Sequence, residues 1–339
     1  MKLNDLVEWT PFALRWVSSG PVVDWHRMGG CRFVEPFFDQ SIHKHQQEVR
    51  GANRTTSSET LLARMAMLPE RPPAAFLFHA SRCGSTLVAQ MLASLRRNIV
   101  LSEPAILDSV LYPKFHSTNC DGSATDAEQV ELLRAVVGAL GYPRHAEQQQ
   151  CFVKFSSRAI SKLSLIRRAF PDVPWMFLYR EPQEILGACL GESRGLSGGP
   201  SSDRLPPGIA DGCLIEGDPA ELAEMSPEEF WARVLAARFS AALRFYEPGK
   251  ALLMNYTQLP EAVCGPMLDF FAAKCSPEDI ERMRRVATFN AKTPSRKFHS
   301  DSDQKRGTLS ATARVLVDLL VMPHYSKAES LRIGEEFGR

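Results

Sequence analysis

The chain has 339 residues, of which 44% are apolar and 23% charged. That composition supports an ordinary buried core and excludes a disordered, fibrous or disulfide-dense miniature protein. Forty Lys and Arg oppose 39 Asp and Glu, a formal charge of +1; no whole-molecule field draws in nucleic acid or an anionic membrane, and any anion site is local.

A chain of this length accommodates two domains, or one large α/β domain with an appendage. Residues 1–73 read as an N-terminal extension or cap with a few short strands. They hold three of the five tryptophans (Trp9, Trp16, Trp25) and apolar pieces such as Cys31-Arg32-Phe33-Val34. The breaker Arg71-Pro72-Pro73 closes them. From 74 to 339, short apolar runs alternate with helical periodicity. Strands are predicted at Ala74–His79, Ile99–Leu101, Cys151–Phe155, Trp175–Tyr179 and Ala251–Tyr256. Helices are predicted at Ser85–Leu95, Thr125–Leu140, from Phe155 through Phe170, and at Glu184–Leu190. The alternation predicts an α/β fold with an open, mostly parallel sheet and helices on both faces. Gly191–Gly208, with 12 Gly, Ser or Pro among 18 residues, breaks the rhythm; it reads as a mobile loop extending through residue 218. Ser226-Pro227-Glu228-Glu229 and Ser276-Pro277-Glu278-Asp279 each offer a Ser cap, a Pro at the first helical position and an acid at the third, so each starts a further helix.

Eight cysteines (Cys31, Cys83, Cys120, Cys151, Cys189, Cys213, Cys264, Cys275) are scattered without a C-x-x-C pair. This argues against a zinc knuckle or redox dithiol and for reduced thiols in a cytoplasm. No metal is expected, since His43-Lys44-His45 alternates without a metal-ligand pattern. Met1-Lys2-Leu3-Asn4-Asp5 lacks the pattern of a signal peptide, and no run of 18 apolar residues exists. A cytoplasmic protein without a membrane span is expected.

The densest chemistry lies between Ala75 and Leu87 (AFLFHASRCGSTL). A buried strand runs into a tight turn at Gly84 and then into a helix. Such a turn aims free backbone N–H groups and the helix dipole at one point, which makes an anion site. Ser85 and Thr86 add hydroxyls, Arg82 adds a fixed positive charge, and His79 is expected to line the pocket. The turn lacks the second glycine and the Lys of G-x-x-x-x-G-K-[ST], which disfavours an ATP or GTP phosphotransferase using that loop with Mg²⁺. The plain alternative is a strand-to-helix turn whose Gly serves geometry alone.

Ser81-Arg82-Cys83-Gly84-Ser85-Thr86-Leu87 resembles the phosphosulfate-binding turn of sulfotransferases that use 3′-phosphoadenosine-5′-phosphosulfate (PAPS). The likeness is to the Arg-bearing version of tyrosylprotein and many bacterial members, with Cys83 in place of the usual Ser. A second motif agrees. Trp175–Tyr179 ends in Arg180-Glu181-Pro182, similar to the family's strand ending in Arg-x-Pro, whose Arg grips the 3′-phosphate. The resemblance covers 74–310. It implies a P-loop-like fold of the sulfotransferase type and transfer of a sulfuryl group from PAPS to a hydroxyl or amine on a small-molecule or peptide acceptor. The product nucleotide would be 3′-phosphoadenosine-5′-phosphate (PAP). Departures are Ala188, where a Ser is usual as a second 3′-phosphate ligand, and the C-terminal phosphate motif, whose nearest counterpart is Lys305-Arg306-Gly307.

The same resemblance implies roles. Arg82 takes the place of the cation near the bridging oxygen, with Cys83, Gly84, Ser85, Thr86 and Leu87 around the phosphosulfate. Glu103, in Ser102-Glu103-Pro104, lies 21 residues after Arg82, where the tyrosylprotein enzymes place their catalytic Glu. Cytosolic members use a His two residues after a Lys. Here Lys154 is kept and Ser156 stands at the His position, which leaves the Glu route, with Lys154 steadying the sulfuryl oxygens. Tyr256 matches a Tyr near the adenosine. Lys305 and Arg306 close a basic stretch that begins at Arg282, of which the loop 290–306 would fold over the 3′-phosphate. A base matched to neutral pH requires that partial burial, when substrate closes the site, raise the Glu103 pKa, and a helix N-terminus beside Arg82 should lower that of the Cys83 thiol. Structural roles remain open for Glu103 as a capping charge, Lys154 and Arg180 as strand-end cations, and Tyr256 as a buried phenol seeking a partner. For the whole chain, the competing readings are a nucleotide-dependent phosphotransferase and a non-catalytic nucleotide-binding module.

Overall fold

A computed structural model of the chain describes residues 8–49, 51–117, 123–193, 215, 224–297 and 309–332. Its centre is a five-stranded parallel sheet of β4 (Ala75–His79), β5 (Asn98–Ser102), β6 (Gln150–Lys154), β7 (Trp175–Tyr179) and β8 (Ala251–Asn255), in the order β5-β6-β4-β7-β8. These strands are unbroken apolar runs because both faces of the sheet are covered. Successive residues feed opposite cores. Phe76, Phe78, Trp175 and Phe177 pack into one, and Ala75, Leu77, Met176 and Leu178 into the other. Fully burying a large apolar side chain stabilises by about 1.5–3 kcal/mol, so the register is strongly specified.

An antiparallel sheet of β1 (Trp9–Val17), β2 (Gly20–Arg27) and β3 (Asn53–Ser57) precedes it. Leu14, Trp16, Val23 and Trp25 join the core on the Phe76 and Phe78 face. Trp16 Nε1 donates to the carbonyl of Ser109 at 2.8 Å. The segment after β2 lies along the helix Ser85–Ala93 and the end of β5. The Arg32 guanidinium donates to the carbonyls of Ala93 and Leu95, and Ser102 Oγ donates to that of Pro36 at 2.8 Å. These contacts bring Phe37 and Asp39 to the carboxyl edge of the central sheet.

Thr125, Ser226 and Ser276 cap the helices Asp126–Leu140, Pro227–Arg244 and Pro277–Ala287. Some boundaries differ from the sequence reading. The helix after β7 starts at Pro182 and runs to Ser193, so it takes in Gly191; of the expected loop, residues 194–214 and 216–218 lie outside the described residues. The helix after β6 is a 3₁₀ turn, Ser157–Lys162, followed by Leu163–Ala169. Tyr256 opens a 3₁₀ turn rather than ending β8. Helices Ala105–Leu111, Ala311–Leu320 and Met322–Leu331 and the hairpin of β9 (Phe289–Asn290) and β10 (Thr293–Lys297) had no expectation. Among the described residues no helix is long and apolar enough to cross a membrane.

Candidate active site

The candidate residues follow the carboxyl ends of the parallel strands, where open α/β sheets bind ligands. The strand order sorts them. Central β4 delivers the turn Ala80–Gly84. On one side β6 ends in Lys154 and β5 is followed by Glu103; on the other β7 is followed by Arg180 and β8 by Tyr256.

The turn is built on left-handed backbone. Ser81, Arg82 and Gly84 have φ of 79°, 50° and 86°. At Gly84 a Cβ would lie 2.8 Å from Leu259 Cδ1 and 2.9 Å from Tyr256 Cδ2. Glycine is therefore required twice, by its φ and by the ring packed against it. Gly84 is the N-cap of the helix Ser85–Ala93, whose first N–H groups project from its end as in any helix. Arg82 is half-buried in the turn, and Ser85 and Thr86 are buried. The Cys83 thiol points away from the turn: it is fully buried and donates to the carbonyl of Leu178. The expected acidification does not occur. Burial pushes the thiol up to about 12, and the neighbouring N–H groups and Lys154 only partly oppose it.

Lys154 is fully buried. Its Nζ pairs with Glu103 Oε1, lies 3.5 Å from Thr86 Oγ1 and stands 5.2 Å from the centre of the Phe37 ring. His79 Nε2 approaches the same carboxylate oxygen at 3.3 Å, in a direction too oblique for a full hydrogen bond. Burial acts to raise the Glu103 pKa, but His79 and Lys154 outweigh it and hold the carboxyl well below its usual range. The rise expected of Glu103 is tied to closure by substrate; in this structure His79 and Lys154 hold it low. Asp39 and Asp108 stand nearby. Burial pushes Asp39 up to about 6, against the N–H of Ala105 donating to its Oδ2 at 3.2 Å. Ser156, at the position where a His would serve in cytosolic sulfotransferases, donates to Asp108 Oδ1 at 2.7 Å.

On the β7–β8 flank, Arg180 is buried and stacks over the Tyr256 ring, 4.3 Å from its centroid. Its Nε pairs with Glu184 Oε2, one helical turn on. Leu87, Arg180, Glu184, Asn255, Tyr256 and Tyr325 line a cavity of about 500 Å³. Gly84, Arg180 and Tyr256 thus converge, while Glu103, Lys154 and Thr86 gather on the other flank of the turn. Lys305 and Arg306 lie outside the described residues. The described cations of the basic stretch, from Arg282 to Lys297, are exposed.

Several neighbours escaped the sequence reading. Glu184 was detectable as an acid four residues after Arg180, in the first turn of the helix that follows it. Arg238, whose NH1 donates to the carbonyl of Ala80 at 3.2 Å, and Phe37 and Asp39 arrive through tertiary packing, and no local pattern marks them. Among the described residues, no group of three or more His, Cys, Asp or Glu could hold a metal ion.

No protein-family model and no curated protein matches the chain. Solved structures similar to it include sulfotransferases. One from Mycobacterium avium is 13% identical, over 90% of this chain and 85% of that one, with a TM-score of 0.48. One from Alicyclobacillus acidocaldarius is 12% identical, over 79% of this chain and 100% of that one, with a TM-score of 0.45. A mouse sulfotransferase solved in complex with PAP is 9% identical, over 82% and 94%, with a TM-score of 0.43.

Proposed function

We propose that the chain transfers a sulfuryl group from PAPS to a hydroxyl or amine acceptor. The observation that carries the reading is the sorting along the sheet edge: a left-handed turn at a helix N-terminus, with Glu103 and Lys154 on one flank and Arg180 and Tyr256 on the other. The residues fit such a donor. The cavity of about 500 Å³ falls within the common range for ligand sites, about 300–1,000 Å³. Tyr256 closes on Gly84 where any side chain would clash.

In this reading, N–H groups at the start of the helix Ser85–Ala93 and the Thr86 hydroxyl bind the phosphosulfate end. Arg180 and Tyr256 bind the nucleotide end, where a 3′-phosphate shares the Arg180 guanidinium with Glu184. Arg82 stabilises the charge that develops on the bridging oxygen; being permanently protonated, it gives up no proton. As the acceptor oxygen bonds to sulfur, its proton passes to Glu103. The bond from sulfur to the bridging oxygen breaks, and its electron pair stays on the 5′-phosphate of PAP. By analogy with phosphoryl transfer, positioning and electrostatics carry most of the catalysis. A strongly ionised carboxylate is a weak base, so in this reading Glu103 orients the hydroxyl and takes the proton late, once bonding to sulfur has acidified it. Lys154 pairs with Glu103 and adjoins Thr86, so it ties the base to the turn.

The test combines nucleotide binding with turnover. PAP at 100 times its Kd should add about 2.7 kcal/mol of stability, several degrees in Tm. Glu103→Gln should lower transfer from PAPS to a phenol or alcohol by about 10²–10⁴-fold while leaving PAP affinity in place. Arg82→Lys should retain part of the activity that Arg82→Ala loses. Stabilisation by Mg²⁺·ATP and not by PAP would establish the phosphotransferase reading instead.

A further inference from the structure

His79 ends β4 and is buried, 5% exposed. Its ring touches both the turn and the base. Nδ1 accepts the backbone N–H of Ser81 at 3.2 Å, so in the neutral ring the proton sits on Nε2. Nε2 has no hydrogen-bond partner and stands 3.3 Å from Glu103 Oε1, the oxygen that Lys154 also holds. Lys154 thus holds Oε1 directly, and the His79 Nε2–H stands beside the same oxygen without completing a hydrogen bond to it. The left-handed Ser81, at φ 79°, turns its N–H back onto the imidazole. The conformation of the anion turn and the tautomer of His79 are therefore linked.

We propose that His79 is the positioning residue of Glu103: a neutral imidazole, fixed as the Nε2–H tautomer by Ser81, which with Lys154 holds Oε1 and presents Oε2 to the acceptor. The inference rests on the sulfuryl-transfer reading and deepens it. His79 gives up no proton. The charged groups around it agree with a neutral ring. Burial lowers its pKa, Lys154 from β6 and Arg238 from the helix Pro227–Arg244 add to that, and only Glu103 opposes. The Glu103 carboxylate in turn acts to raise the neighbouring Asp39 and Asp108 carboxyls.

Two substitutions separate the contacts. His79→Asn keeps an acceptor for the Ser81 N–H and is too short to reach Glu103. His79→Gln carries an amide donor to Glu103 and gives up the Nδ1 acceptor. The measurements are kcat and KM with PAPS from about pH 3.5 to 9, PAP-induced thermal stabilisation, and the ¹⁵N spectrum of histidine-labelled protein. His79→Asn should lose roughly 10- to 100-fold in kcat, the scale of a misplaced reacting group, with KM for PAPS and PAP stabilisation unchanged. Its acid limb should move to higher pH, because Glu103 has lost one of the groups that hold it ionised. His79→Gln should recover most of the rate and the wild-type pH profile, and His79 should appear as the Nε2–H tautomer at pH 7. Active wild type with an unaffected His79→Asn variant, equal losses in both variants, or an Nδ1–H or imidazolium signal overturns the positioning role alone. A wild type that neither binds PAP nor transfers sulfuryl overturns the sulfotransferase reading and this role with it.

Discussion

Replacing Lys154 by Met removes one charge from a pair largely closed to water. The Lys154 side chain is 0% exposed and that of Glu103 25%. Met is close in volume to Lys, so the cavity contribution is small, and what is lost is the partner of Glu103. Breaking a buried pair by removing one member costs about 3–5 kcal/mol. A partly exposed Glu103 regains some hydration, which brings the expectation to about 2–3 kcal/mol. At roughly 2–4 °C per kcal/mol for a domain of this size, the variant should melt about 4–12 °C below wild type at pH 7. Adding Glu103→Gln removes the stranded charge and should restore more than half of the loss. The pH dependence has a definite sign. Glu103 is held below its ordinary 4.5, so its contribution is complete above pH 4.5 and is lost as pH falls through the lower folded value. Without Lys154 the carboxyl protonates at higher pH, the variant loses its stranded charge earlier, and the gap to wild type narrows on acidification. Thermal and urea unfolding of wild type, Lys154→Met and the double variant between pH 7 and pH 4.5 measures this. Equal stability of single and double variants, or a gap that widens as pH falls, refutes the coupling.

Glu184→Gln keeps a hydrogen-bonding partner for Arg180 and removes a negative charge from the cavity, so PAP should bind more tightly by on the order of 1 kcal/mol; calorimetric titration measures this, and weaker binding would show that the carboxylate serves to orient Arg180. Cys83, pushed up to about 12 by burial, should resist alkylation at pH 8 in the native protein while exposed Cys31 reacts. Mass spectrometry of the labelled peptides decides it, and rapid native labelling of Cys83 would contradict the burial argument.

The five parallel strands were legible because each is a short apolar run between breakers, the pattern that two covered faces impose. Trp175–Tyr179 kept its predicted bounds, and the Ser226 and Ser276 caps sit where their sequences put them. Gly84 and Arg180 were legible for the same reason: each follows a readable strand end. Pairing was not legible. That Lys154 neutralises Glu103, or that Phe37 stands over Lys154, depends on β5 lying beside β6 and on the segment after β2 reaching the sheet edge. Strand order and long-range docking leave no local trace in spacing. The Cys83 error has the same origin. A helix N-terminus acts through local charge, but the side chain points into the core, and desolvation outweighs the backbone N–H groups and Lys154 that oppose it.

Backbone strain bears independently on the site. Four described non-glycine residues have positive φ, and three of them, Ser81, Arg82 and Glu103, belong to the candidate site. Each such residue costs on the order of 1–3 kcal/mol and persists only where the surroundings enforce it. A turn that merely joined β4 to its helix could place Gly or Asn at these positions and avoid the cost. Ser81 instead uses its conformation to send an N–H to His79, and Glu103 lies between His79 and Lys154. The two strained places are joined by the same imidazole. Relaxing either would separate the turn from the Glu103 carboxylate, so the strain supports the proposed reading, in which turn and carboxylate act on one group, over a strand-to-helix turn whose glycine serves geometry alone.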